Sequence, residues 1–261
     1  MSTSNQILTI LAFYPGDAIQ AERLCDWIYC LGGNKPSGHV LLLPDSEVHA
    51  ELQMKVRLAA DIAFETVSLV VADRFARIGK PERINNLIRC ASLTVSRSYR
   101  LPWLWLEPDC VPLKPDWREQ LVTAYYSQPK RFMGPVLKGP GKDGAEQFVL
   151  GRTAVYPIGA TMDLEPYCHA LGPFNVAAGN VLVDRASKCR LFQQMGYNHE
   201  TDYDKIRDDA VLLHADKTGQ LIQCLRAKLQ AAAVPANSEI AIAPPKRRGR
   251  PPLNRSQPVT V

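Results

Sequence analysis

The sequence predicts an α/β fold: a mostly parallel central sheet with helices on both faces, followed by a disordered basic tail. Three observations carry this. Short apolar or β-branched runs alternate with helical periods over the first half of the 261 residues, the pattern of a sheet wound by crossover helices. Three of those runs, Val40–Leu43, Thr66–Ala72 and Trp103–Asp109, stop at an aspartate: Asp45, Asp73 and Asp109. After Pro235, periodicity gives way to Pro, Ala and basic residues, a composition that cannot bury enough apolar surface to order itself. The expected division is residues 1–233 as one folded domain and 234–261 as the tail.

Ile7–Tyr14 reads as the first strand, closed by Pro15-Gly16-Asp17. Ala18–Leu31 then places apolar residues at Ile19, Leu24, Trp27, Ile28 and Leu31, with Gly32-Gly33 as a helix stop. Residues 48–61 read as a helix. Pro81 opens another, at the first-turn position where its missing N–H costs nothing. A helix over Pro115–Tyr126 and a strand over Phe132–Leu137 follow. The Gly- and Pro-rich stretch 138–185 reads as loops and short strands. Ala186–Met195 reads as helical, Ala210–Ala215 as a strand and Gly219–Ala233 as a helix.

Composition narrows the function classes. No window approaches the roughly 18 unbroken apolar residues of a membrane span, so no membrane partner is expected. The start, Met1-Ser-Thr-Ser-Asn-Gln6, lacks the pattern of a signal peptide. Seven cysteines without a CxxC pair fit reduced thiols in a cytoplasmic protein. The net charge of +5 sits entirely after Glu239, where the tail holds Lys246, Arg247, Arg248, Arg250 and Arg255 and no acid. A neutral body with a basic appendage is suited to a polyanionic partner.

Four segments bear chemistry. Glu107-Pro-Asp109 closes the aromatic run Trp103-Leu-Trp-Leu106. Two carboxylates at that spacing can hold one hard divalent cation, which then recruits phosphate oxygens. Phe174-Asn-Val-Ala-Ala-Gly179-Asn180 reads as a small-residue loop leading into an apolar run. Asp208-Asp209 is an acidic pair. His214-Ala-Asp-Lys217-Thr-Gly219 follows a strand and opens a helix.

In their order these segments resemble the GT-A-fold, Rossmann-like glycosyltransferases that use nucleotide-sugar donors, especially the small phage and bacterial type. The resemblance covers about residues 5–230. It implies that Glu107 and Asp109 stand for the acids of a DxD-like motif, with Glu in the first place, and that Asp109 and His214 bind Mn²⁺ or Mg²⁺. Glu107 would join them directly, through water, or turn to the ribose. It also implies that Gly179 sits in a glycine loop of the donor and acceptor pocket, and that Lys217 and Gly219 lie beside the diphosphate. The segment Gly79-Lys-Pro-Glu-Arg-Ile-Asn-Asn86 resembles the stretch where Arg83 and Asn86 approach the nucleotide. Asp45 and Asp73 would edge the same pocket and Tyr14 could stack on the base. Asp208 or Asp209 is expected as general base, with Glu200, Asp202 and Asp204 as rivals. A UDP-sugar such as UDP-glucose is the expected donor.

In the tail, Arg248-Gly249-Arg250-Pro251, preceded by Lys246-Arg247, resembles an AT-hook. Gly249 lets the backbone drop into a groove about 6 Å wide. Arg248 and Arg250 can then lie along an A·T-rich floor, where the negative potential is strongest. Body and tail together imply transfer of a sugar to a 5-hydroxymethylpyrimidine in DNA, 5-hydroxymethylcytosine for example, as in bacteriophage DNA hypermodification. The alternatives are a transferase acting on polysaccharide, lipid or protein, and a DNA-binding protein with an inert body.

Overall fold

The computed structural model describes residues 5–74, 80–140, 145–195, 205–214 and 216–233. The tail 234–261, with its hook-like segment, lies outside the described residues, as do Gly79, Glu200, Asp202 and Asp204.

In chain order the elements are β1 (Leu8–Phe13), α1 (Ala18–Leu31), β2 (His39–Pro44), α2 (Ala50–Ala63), β3 (Thr66–Leu69), α3 (Lys80–Thr94), β4 (Trp103–Leu106), β5 (Cys110–Pro112) and α4 (Trp117–Ser127). Then come β6 (Phe132–Gly134), β7 (Val136–Pro140), β8 (Glu146–Leu150), β9 (Val155–Tyr156), α5 (Ala160–Cys168), α6 (Phe174–Asp184), β10 (Ala186–Lys188), β11 (Phe192–Gln194), β12 (Leu212–His214) and α7 (Gln220–Ala233).

The central sheet has seven strands in the order β10-β6-β9-β4-β1-β2-β3. β4, β1, β2 and β3 are mutually parallel, as are β10 and β6, while β9 runs antiparallel between β4 and β6. Side chains alternate across it, as the period of two demands. Leu11, Phe13, Leu42, Leu104 and Leu106 pack under α1, α2, α4 and α7. Leu8, Ile10, Leu41, Leu43, Trp103 and Trp105 pack under α3, α5 and α6. The two-faced α/β layering expected from the sequence is present.

Several elements differ from the sequence reading. Residues 186–195 form two strands, not a helix. β10 pairs with β6 and β11 with β12, so pairing partners distant in sequence override a helical local preference. The expected strand Phe132–Leu137 breaks at Pro135, which cannot donate to a ladder, and its halves join different sheets. Within the stretch read as loops, residues 160–168 are helix α5. Phe174–Asp184 is also helical, interrupted at Gly179 (φ 37°, ψ −121°). A Cβ there would come within 2.9 Å of Gln147 Oε1 on β8, so both the positive φ and the close approach call for glycine.

A smaller sheet, β11-β12-β5, completes the frame of the site. β12 runs antiparallel to β5 with His214 opposite Cys110. Trp27 of α1 donates its indole N–H to Pro112 O at 2.8 Å and so fixes β5 against the first helix. Among the described residues, no helix is long and apolar enough to cross a membrane.

Candidate active site

Parallel strands present their C-terminal ends at one edge, and open α/β sheets bind ligands there. A cleft of about 910 Å³ opens at that edge. Its floor is Ala12, Tyr14 and Trp105, and one wall is Glu107, Pro108, Asp109 and Lys217. The β7–β8 hairpin, the residues just after it and the start of α6 also line it, through Leu137, Val149, Arg152 and Asn175.

Two chain segments meet in the first wall. β4 ends at Leu106 and the chain turns through Glu107-Pro108-Asp109 into β5, with Cys110 N–H bonded to Glu107 O at 2.9 Å. β12 delivers His214 beside this turn. His214 Nε2 lies 2.6 Å from Glu107 Oε2 and 3.2 Å from Asp109 Oδ1. Asp109 Oδ2 also accepts a short hydrogen bond from Lys217 Nζ. The backbone locks the two segments together, Asp216 N–H donating to Asp109 O at 3.0 Å. Gln20 of α1 donates to Lys217 O at 2.7 Å. Gly219, with φ 74°, turns the chain into α7, a left-handed conformation that glycine adopts at little cost.

The charges in this pocket are strongly coupled. Burial alone would raise the carboxyl of Asp109, but His214 and Lys217 outweigh it and hold the group well below the usual range. Burial likewise opposes ionisation of Glu107, and Arg152 together with His214 more than compensates. Burial opposes charge on His214, yet its two carboxylate neighbours push its pKa up to about 9. A cationic ring thus stands where two buried carboxylates converge. Two carboxylate oxygens and an imidazole nitrogen in one small pocket are a donor set for Mn²⁺ or Mg²⁺. The residues fit such an ion, which would take over the role of the imidazolium proton. Cys110 Sγ lies close to Asp109 and His214, but its thiol is buried, bonded to Thr153 Oγ1 at 3.3 Å and pushed far up in pKa by burial. A hard cation favours the oxygen and imidazole ligands over that sulfur.

The other expected site residues are distributed unevenly. Tyr14 lines the cleft, and its buried hydroxyl makes no hydrogen bond; burial raises its pKa. Asp45 and Asp73 do follow strands at this edge, but both serve the loops there. Asp45 accepts from Glu47 N–H at 2.9 Å, and Asp73 O accepts from the Asn86 side chain at 3.0 Å. Arg83 forms a two-point pair with Glu47, at 2.6 and 3.0 Å. Gly179 packs on Gln147, while its neighbours Asn175 and Val176 reach the cleft.

Asp208 and Asp209 sit elsewhere. They precede the N-terminal end of β12, where Asp209 is paired with Arg190 at 2.7 Å and with Arg207 at 3.1 Å. Lys114 Nζ bonds to Asp208 O. Neither of them lines the cleft. This geometry does not bring the acidic pair to the cleft, so it does not fit the general base expected there. Among the described residues, Asp17 is the carboxylate that lines the cleft outside the Glu107–Asp109 turn.

Sequence reasoning did not find Arg152, Asn175 or Asp17. Arg152 pairs with Glu107 at 3.2 Å, and Asn175 donates to Leu150 O at 3.1 Å while its side-chain oxygen stays unpaired. Their positions depend on where the hairpin and α6 return to the sheet, which no local pattern reveals. The Pro15-Gly16-Asp17 turn after the first strand was a legible signal for Asp17.

No family model matches the chain, and no curated protein matches it in sequence. Solved structures do. The galactosyltransferase LgtC, solved in complex with donor and acceptor sugar analogues, superposes with a TM-score of 0.52 at 9% identity, over 85% of this chain and 96% of LgtC. An active-site mutant of LgtC gives 0.53 at 9% identity over the same shares. The apo structure of WbbM, a bifunctional glycosyltransferase, gives 0.52 at 9% identity over 83% of this chain. The chain spans 46% of the length of WbbM. This likeness establishes the fold. It is the GT-A-like fold of these transferases.

Proposed function

We propose that the chain is a metal-dependent glycosyltransferase that moves a sugar from a nucleotide sugar, a UDP-sugar such as UDP-glucose, to the hydroxyl of a 5-hydroxymethylpyrimidine in DNA. The observation that carries the transferase reading is the meeting of Glu107, Asp109 and His214 at the mouth of a sheet whose fold is that of sugar transferases. Asp109 and His214 would hold Mn²⁺ or Mg²⁺, with Glu107 beside them. Such an ion supplies charge stabilisation for a departing nucleoside diphosphate.

The protein's own groups have separable tasks. Lys217 extends from Asp109 along the cleft wall and adds a positive point charge on the phosphate side. Gly219 turns the chain from Lys217 into α7, its own N–H bonded to Asp216 O and that of Gln220 to Thr218 Oγ1. Tyr14 offers a ring for the nucleotide base. Asn175 lines the same cleft. Asp17 is placed to accept a proton from an acceptor hydroxyl, a contribution typically of about 10²–10⁴-fold. The DNA part of the reading rests on the tail sequence Lys246–Pro251 and its hook-like Arg248-Gly-Arg-Pro251 core. A tether raises the local concentration of acceptor without altering the chemical step.

A second reading has its own support: LgtC was solved with an acceptor sugar analogue, which favours a saccharide acceptor. One experiment separates the two. Mass spectrometry of nucleosides, after incubation with 5-hydroxymethylated DNA, Mn²⁺ and a panel of sugar nucleotides, is expected to show a hexosylated 5-hydroxymethylpyrimidine. An unmodified nucleoside pool, with transfer to an oligosaccharide in a parallel reaction, would replace the DNA reading by the saccharide one.

A further inference from the structure

Glu107 is shared between two cations of the chain. On one side it faces His214; on the other it faces Arg152, whose Nε lies 3.2 Å from Oε1 and whose Nη2 lies 3.3 Å from Oε2. The Trp105 indole N–H adds a third donor at 3.4 Å. Arg152 is no loose surface cation. Its side chain is 17% exposed. The preceding Gly151 N–H is bonded to Pro135 O at 2.8 Å, and Tyr156 donates its hydroxyl to Arg152 O at 2.9 Å. Just beyond, Trp105 N–H is bonded to Ala154 O at 3.0 Å. The hairpin end is therefore sewn onto β4, and the guanidinium is presented to Glu107 in a fixed orientation.

The charges then nearly cancel before any metal enters. Glu107 and Asp109 carry two negative charges; Arg152 and Lys217 carry two positive ones, and the His214 ring adds a third until a metal displaces its proton. A neutralised pocket has little attraction for a bare dication, because each fixed cation repels it over a few ångströms. A nucleoside diphosphate changes this. It brings negative oxygens that can bind the metal and face Arg152 and Lys217 at the same time. We infer that Arg152 is a specificity-determining residue that shields Glu107, so that the site captures its divalent cation together with a nucleoside diphosphate rather than alone. The inference rests on the transferase reading above and adds to it an energetic coupling between metal and nucleotide, which must be reciprocal.

The test is Mn²⁺ binding to the full chain, followed by electron paramagnetic resonance of free Mn²⁺, with and without UDP. In the wild-type chain, UDP is expected to tighten Mn²⁺ binding. Arg152→Gln removes the shielding charge and is expected to bind bare Mn²⁺ about tenfold more tightly, losing most of the enhancement by UDP. Arg152→Lys keeps the charge and is expected to retain the enhancement. Bare Mn²⁺ affinity in a folded Arg152→Gln chain equal to or weaker than wild type would overturn the inference. So would equal Mn²⁺ affinity with and without UDP in the wild type, a measurement that needs no variant. A wild-type chain that binds Mn²⁺ under neither condition overturns the transferase reading as well, so the two failures are distinct.

Discussion

The two ends of β12 place acids in opposite situations. At its C-terminal end, His214 meets Glu107 and Asp109 in a pocket where all three side chains are nearly buried. At its N-terminal end, Asp209 is exposed and paired with Arg190 and Arg207. In sequence the groups are neighbours; in space they keep different partners. The difference shows what makes a carboxylate available for chemistry. A buried group whose partner is a protonated ring can exchange that proton for a metal ion. An exposed group between two arginines is occupied in holding a turn together.

The largest expected effect lies at the buried end. Asp109→Ala and His214→Ala should each lower metal-dependent sugar transfer by about 10²–10³-fold, the scale of losing a group that stabilises developing charge. DNA retention, measured by gel shift, should persist in both. Next in size is removal of residues 240–261. DNA affinity at low salt should fall by about 10²-fold, while transfer to a free 5-hydroxymethylated nucleoside should keep its rate. Unchanged DNA affinity would detach the tail from the reaction.

A third expectation uses pH. The metal-free chain holds His214 at a pKa of about 9, above its ordinary 6.5. A raised folded-state pKa contributes stability that is fully present below pH 6.5 and is lost as pH rises through 9. Stability in a chelator, followed through the melting temperature, should therefore fall over that window by on the order of 3 kcal/mol. His214→Gln should flatten that fall. The depressed carboxyl of Asp109 acts in the opposite sense. Its contribution is present above its ordinary value of 3.8 and disappears as acid protonates it. The smallest effect belongs to the exposed end: Asp209→Ala should leave steady-state turnover close to wild type. A large loss there would restore the acidic pair as a candidate base.

How much of this was legible depends on the range of the interactions involved. The parallel half of the sheet was readable, because buried strands such as Leu8–Phe13 and Trp103–Leu106 are short continuous apolar runs flanked by turn residues. The Glu107–Asp109 turn was readable for the same reason, since the acids end such a run. Residues 186–195 were misread, because β10 and β11 take their conformation from β6 and β12, which no local period encodes. Arg152 stayed hidden because a hairpin closing on β4 is a long-range event. Asp208 and Asp209 were read as the base from their place in the order of motifs, but a turn ahead of β12 holds Asp209 between Arg190 and Arg207, partners no local pattern reveals.

The central claim is that one divalent cation takes the place of the His214 proton between Asp109 and its ring. Calorimetric titration with Mn²⁺ at pH 7.5, in the presence of UDP and in two buffers of different ionisation enthalpy, tests it most directly. A ring with a pKa of about 9 is protonated there, and an imidazole must be neutral to bind a metal, so saturable binding should release about one proton. His214→Ala should abolish that release. Saturable binding with no proton released, or binding that Asp109→Ala and His214→Ala leave intact, would contradict the claim.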